Sequence, residues 1–163
     1  MTSNVARSDF RPGAAALDRE LTWLRYLVPV ARLLFTAIFL MTAFSHFKAQ
    51  TVGYAQMRGV PLAGVLVPIS GILAVAGGLS ILLGFYARIG AGLLVLFLVP
   101  VTLMMHAFWS VPDPQAAQMQ MVSFMKNLSM LGAALLIAYF GAGPISLDAR
   151  RGYGRAIARP GAV

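Results

Sequence analysis

The chain is expected to fold as an all-α integral membrane protein, a four-helix bundle with cytoplasmic N- and C-termini. Three observations predict this. Hydrophobic residues make up 59% of the 163 residues and charged residues only 11%, which leaves too little polar surface for a water-soluble domain of this length. Four apolar runs, residues 27–47, 63–84, 89–109 and 121–141, each approach the roughly 20 residues that a helix needs to cross a bilayer. Basic residues are also divided unequally between the connecting segments. The first tail has Arg7, Arg11, Arg19 and Arg25, the link before the third span has Arg88, and the last tail has Arg150, Arg151, Arg155 and Arg159, against only Lys48 and Arg58 on the opposite side. By the positive-inside rule both tails face the cytoplasm, and the loops 48–62 and 110–120 face outward. The expected location is a bacterial cytoplasmic (inner) membrane.

Residues 1–26 form a polar cytoplasmic tail, too long and too charged to open a simple secretory signal, so the first span is expected to stay in the mature protein. Alanine and leucine over residues 14–24, with Asp18, Arg19 and Glu20 opposite them, predict a short helix on the membrane surface. Trp23 and Tyr26 would then lie at headgroup level. Residues 27–141 are the bundle and residues 142–163 a second basic cytoplasmic tail. The net charge of +8 is explained by these tails beside anionic lipid, not by nucleic acid. The chain has no cysteine, which removes disulfides, thiolate nucleophiles, iron-sulfur clusters and covalent haem attachment. No metal-ligand set is visible.

Helices in lipid approach closely where residues are small. Ser70, Ala74 and Gly78 recur every four residues in the second span, with Gly71 and Gly77 beside them, and mark a packing surface. Gly90 and Gly92 do less for the third span, and Gly132 with Ala133 for the fourth. Pro68 and Pro100 are expected to bend their helices. The first outer loop, with Tyr54, Met57, Gly59 and Pro61, is long enough for a short half-helix on the outer surface before Val60-Pro61 turns the chain into the second span.

Polar groups inside spans lose hydration, so their placement carries information. With this topology His46 and His106 end near the outer surface, and Lys126 and Asn127, early in a span that starts outside, share that depth. His46, Lys48, His106, Trp109, Lys126 and Asn127 thus converge on one outer layer. Each also has a plain reading. A lysine there can extend its stem by roughly 6 Å to the interface, the histidines can bond loop carbonyls, and Trp109 can be an interfacial anchor. Haem held by His46 and His106 would need both rings in one cavity, and only their shared depth supports it, so haem is disfavoured. A quinone-type headgroup fits better: Lys126, Asn127 and a histidine offer donors, and Phe108, Trp109 and Phe124 offer flat walls. At the inner end, Arg32 or Arg88 is expected to clamp Asp148, as a structural pair.

Several of these residues together resemble the DoxX family of small four-span membrane proteins. They are Phe124-x-Lys126-Asn127 followed by Gly132, the run from Gly141 through Pro144 and Ser146 to Asp148, and His106-x-Phe108-Trp109. Gly77-Gly78 with Leu83-Gly84 and Arg88, and Arg32 with Phe39, fit as well. The chain departs from that pattern at Ala74, where members often have a glutamate, and at His46, where a lysine is common. The resemblance implies a link with quinone reduction and with partner subunits.

The combined expectation is a membrane subunit of a redox assembly, with a quinone-type or other lipophilic ligand pocket near the outer surface and protein partner subunits. Lys126 and Asn127 would orient the headgroup, and His106 would be a proton donor; any enzyme activity would belong to the assembly. A non-catalytic structural or accessory subunit is the alternative. A small transporter ranks third, because no broken helix pair with acidic residues at mid-membrane is present.

Overall fold

The computed structural model describes residues 22–151. Most of the surface helix expected over residues 14–24 therefore lies outside the described residues, as does most of the basic tail after Asp148. Six α-helices follow in order: α1 (Leu27–Thr42), α2 (Ala49–Met57), α3 (Ala63–Leu83), α4 (Ala87–Met105), α5 (Pro114–Phe140) and α6 (Leu147–Arg150). Tighter 3-10 turns extend α1 at both ends, Thr22–Tyr26 and Ala43–Phe47, and another, Phe108–Ser110, follows α4. With these turns, four segments are long and apolar enough to cross a membrane: Thr22–Phe47, Ala63–Leu83, Ala87–Ser110 and Pro114–Phe140. The fold is a helical membrane bundle, and no strand occurs among the described residues.

Local chemistry sets the element ends. Thr42 Oγ1 donates to the Ile38 carbonyl at 2.7 Å and Ser45 Oγ to that of Thr42 at 2.6 Å. Hydroxyls that bond back to the preceding turn compete with the helix ladder, and α1 tightens into the 3-10 turn there. Extended Lys48 then ends it, and α2 lies across this end of the bundle, on a small core of Ala55, Ala63 and Val67. This is the half-helix expected in the first loop. The fourth span begins seven residues before the apolar run does: Asp113 caps it by accepting from the Ala116 amide at 2.7 Å, and Pro114 stands at its first position. Both are helix-start signals. At about 1.5 Å per residue, Lys126 lies about 18 Å from the helix start, and so deep within α5.

α3 and α4 form the centre, with α1 packed on α3 and α5 on α4. The core runs through all four helices, with Phe39, Ala74, Ile81, Leu94, Leu98 and Ala134 buried in it. The small residues of α3 serve two neighbours. A side chain added at Gly78 would press on Leu40 of α1, 3.1 Å away, and one at Gly77 would meet the Gly90 carbonyl of α4 at 2.8 Å. Gly90 in turn leaves room for Ser80. α3 and α4 therefore cross in backbone contact at Gly77 and Gly90. By contrast, Gly92 and Gly132 face open space, so they hold no helix pair together.

The connections α3–α4 and α5–α6 interlock at one end, here the turn end. Arg32 of α1, buried at 6% exposure, donates from Nη1 to the Ala142 carbonyl at 3.1 Å and from Nη2 to that of Ile145 at 2.7 Å. These carbonyls belong to the chain just past α5, where no helix continues to pair them. Gly84, at φ +62°, leaves the space that the guanidinium fills. Asp148 meets neither arginine: its carboxylate accepts from the Tyr86 and Ala87 amides at 2.8 and 3.0 Å, while its own amide donates to the Gly84 carbonyl at 2.8 Å. The clamp expected between Arg32 or Arg88 and Asp148 is thus built through backbone. A carboxylate at a helix N-terminus is favoured by the free amides and the helix dipole, and Asp148 supplies one to α4 from a distant part of the chain. Arg88 lies against Gly141, Ser146 caps α6 by accepting from Ala149 at 3.0 Å, and Arg151 stacks on the Phe85 ring at 4.5 Å.

Two stability predictions follow from these contacts. Asp148→Asn keeps one acceptor but loses the charge, and should destabilise the bundle by about 1–2 kcal/mol, read as a lower unfolding midpoint in detergent; an unchanged midpoint would remove Asp148 as a cap of α4. Gly77→Ala should cost about 1–3 kcal/mol by forcing α3 from α4, whereas Gly92→Ala and Gly132→Ala should leave stability unchanged or raise it. Equal midpoints for all three would refute the Gly77–Gly90 crossing.

Candidate functional site

At the other end of the bundle, the loop end, a cavity of about 330 Å³ lies between the last turn of α1, the start of α3 and the end of α4, with α2 above it. This is within the range of small-molecule sites, about 300–1,000 Å³. Phe97, Val101, Met104 and Met105 wall it on the α4 side, and Val67 and Leu73 on the α3 side. The exposed side chains of Leu66, Ile69, Leu96 and Pro100 also line it, so it opens sideways toward the lipid. Three polar side chains, His46, Thr51 and Ser70, reach its wall.

The sequence places these groups by identifiable means. The 3-10 turn after α1 carries His46 against Gly71, where an added Cβ would stand 2.7 Å from the His46 Cβ. The ring packs edge-on to Phe97, with centroids 5.6 Å apart, and its Nδ1 lies 3.3 Å from the Ala43 carbonyl. Thr51 Oγ1 donates to the Ser45 carbonyl at 2.6 Å and Ser70 Oγ to that of Val67 at 2.7 Å. Pro100 has no amide hydrogen, so the Leu96 carbonyl, one turn earlier, has no helical donor.

The other predicted site residues divide into separate groups. His106 Nδ1 lies 2.8 Å from Gln120 Oε1, and Gln120 Nε2 donates to the Tyr54 hydroxyl at 3.2 Å, a chain linking α2, α4 and α5. Phe108, Trp109 and Phe124 form an edge-to-face cluster with centroids 5.1–5.8 Å apart. Trp109 is 61% exposed, which suits an interfacial ring. Lys126 and Asn127 part company, because successive helical residues point about 100° apart. Asn127 is 5% exposed and on the face with Phe124 and Ala134, whereas Lys126 is exposed with Val122 and Met125. Lys126 is six residues, or about 9 Å, deeper along α5 than Gln120. Lys48 is exposed, and His46 lines the cavity, whose walls include none of these other groups. Among the described residues, no cluster of three His, Asp or Glu side chains could hold a metal.

Sequence reasoning missed Thr51, Ser70, Gln120 and Tyr54 as site residues. Ser70 was read as packing only. Gln120 was legible in principle: with α5 started at Asp113-Pro114, residues 120, 124, 127 and 134 fall on one face by the helical period.

Residues 25–153 match the SURF4 family. The chain is 32% identical over 126 residues to the inner membrane protein YphA of Escherichia coli (strain K12), covering 76% of the chain and 89% of that relative. It is likewise 32% identical over 123 residues to the inner membrane protein YqjF of the same strain, covering 74% and 88%. No solved structure matches it. These matches correct the expected DoxX membership. One of the motifs that suggested it, Gly141 to Asp148, meets the demands of the turn end: Gly141 and Gly143 have positive φ, Ser146 and Asp148 cap helices, and Ala142 and Ile145 offer carbonyls to Arg32. A bundle closed in this way needs those residue types whatever its family. The chain, a four-span helical membrane protein, belongs to the SURF4 family.

Proposed function

We propose that this SURF4-family protein resides in a bacterial inner membrane with both termini in the cytoplasm, and that it binds a lipophilic ligand in the loop-end cavity. The cavity carries the reading, since its walls are mostly apolar, exposed side chains of α3 and α4 form its mouth, and a few polar side chains line it. That combination orients an amphiphile. A quinone-type carrier belongs to this ligand class. The redox assembly expected from the sequence rests on a convergence of His106, Lys126 and Asn127, strengthened by the replaced family likeness, whereas the ligand reading rests on the cavity alone.

The remaining polar groups take supporting roles. The His106–Gln120–Tyr54 chain ties α2 to α4 and α5 beside the cavity, and so holds its cover in place. Asn127 is buried on α5. Lys126 stands exposed on α5. The orientation follows from the basic tails and from Arg88 at the turn end.

Two experiments test this. A photoreactive alkyl-diazirine lipophile should label the segment around Met104 and Met105 in the full chain; Leu73→Trp, which fills the cavity, should cut that labelling severalfold, and Leu136→Trp on the exposed face of α5 should not. Equal labelling of all three would remove the cavity as a binding site. Because the native chain lacks cysteine, single cysteines report sidedness cleanly. In intact cells, Gln115→Cys should react with a membrane-impermeant maleimide and Ala149→Cys should not, and the reverse pattern would invert the proposed topology.

A further inference from the structure

The cavity's polar wall has a definite hydrogen-bonding sense, and this deepens the proposed function, on which it rests. A hydroxyl has one hydrogen to donate and two lone pairs to accept with. Thr51 and Ser70 already donate theirs, to the Ser45 and Val67 carbonyls at 2.6 and 2.7 Å. His46 Nδ1 faces the Ala43 carbonyl at 3.3 Å. A carbonyl can only accept, so in the neutral ring that makes this bond Nδ1 is the donor and Nε2 is left as an acceptor. The Thr51 and Val60 amides are taken, by the Lys48 carbonyl at 3.0 Å and the Ala55 carbonyl at 3.0 Å. The remaining walls are aliphatic, aromatic or thioether, so the site presents lone pairs and no free donor.

We infer that the cavity selects lipophiles whose polar head donates a hydrogen bond, of the phenol, quinol or long-chain alcohol class, over heads that only accept, such as ethers and quinones. A carbonyl or ether oxygen placed there would face other acceptors and leave its own hydration unreplaced, a penalty that a hydroxyl avoids. The wide mouth and the two methionines, which adapt to irregular shapes, leave the tail loosely specified. For a quinone-type carrier the same rule means that the reduced form binds better than the oxidised form.

The test uses the full-length chain in detergent and a matched pair of probes, 4-heptylphenol and its methyl ether, titrated by native mass spectrometry and corrected for micelle partitioning. The wild type should bind the phenol about fivefold more tightly than the ether. His46→Phe, which keeps a flat ring and removes the acceptor, should reduce that preference to less than about twofold. Ser70→Ala should lower it as well, and serves if the His46 variant does not fold. If the ether binds as well as the phenol, the cavity is a general lipid-tail site and the donor rule fails while the ligand reading stands. If the preference is unchanged in both variants, the selectivity lies elsewhere and the inference is overturned. If neither probe binds, the inference and the proposed function fall together.

Discussion

Two backbones touch at Gly77 and Gly90, and the rest of the bundle is arranged around that contact. In lipid, helices gain little from burying apolar surface against each other, so close approach and good packing must hold them. A missing side chain on each of α3 and α4 allows that approach near the turn end. Toward the loop end a cavity lies between side chains of α3 and α4. His46 and Phe97 fill some of the space there, and the cavity is what they leave.

The turn end also answers how a membrane bundle tolerates a buried arginine. Charge within a span is expensive unless it finds partners. Arg32 finds carbonyls that would themselves be costly to leave bare, those of Ala142 and Ile145, so one contact satisfies two needs. Asp148 does the reverse, giving a carboxylate to the free amides at the start of α4. Opposite charges sit near each other without touching, each spread over backbone dipoles. This arrangement fixes α1, α3, α4 and the end of α5 together through the segment after Phe140, and it leaves the loop end free of that constraint.

Much of the bundle could be read from residue type alone. Four apolar runs located the spans, and the first three agree with the helices to within a few residues at most ends. The fourth began earlier because a hydropathy run cannot register a polar first turn, although Asp113-Pro114 marks the start directly. Depth was not legible in the same way: His106 meets Gln120, while Lys126 and Asn127, expected beside it, lie six and seven residues further along α5. Nor was direction around the helix, which separates Asn127, turned inward, from Lys126, turned outward. The cavity was illegible for a different reason. It is space left over by packing, and Ser70, the residue that marks its wall, sits in a row with Ala74 and Gly78 that reads equally well as close contact. The family resemblance misled because caps, positive-φ glycines and an arginine on bare carbonyls are demands of a turn and carry little lineage.

The close contact at Gly77 and Gly90 and the cavity beside His46 and Ser70 are the two features on which the proposed function stands. A density map of the full chain in lipid nanodiscs, at a resolution that shows side chains, tests this directly. The map should show α3 and α4 closest at Gly77 and Gly90, with elongated non-protein density between His46, Ser70 and Met104 that reaches the bilayer between Ile69 and Leu96. A map in which Ser70 and Leu73 pack directly onto Val101 and Met104, with no space between them, would contradict the cavity and the function built on it.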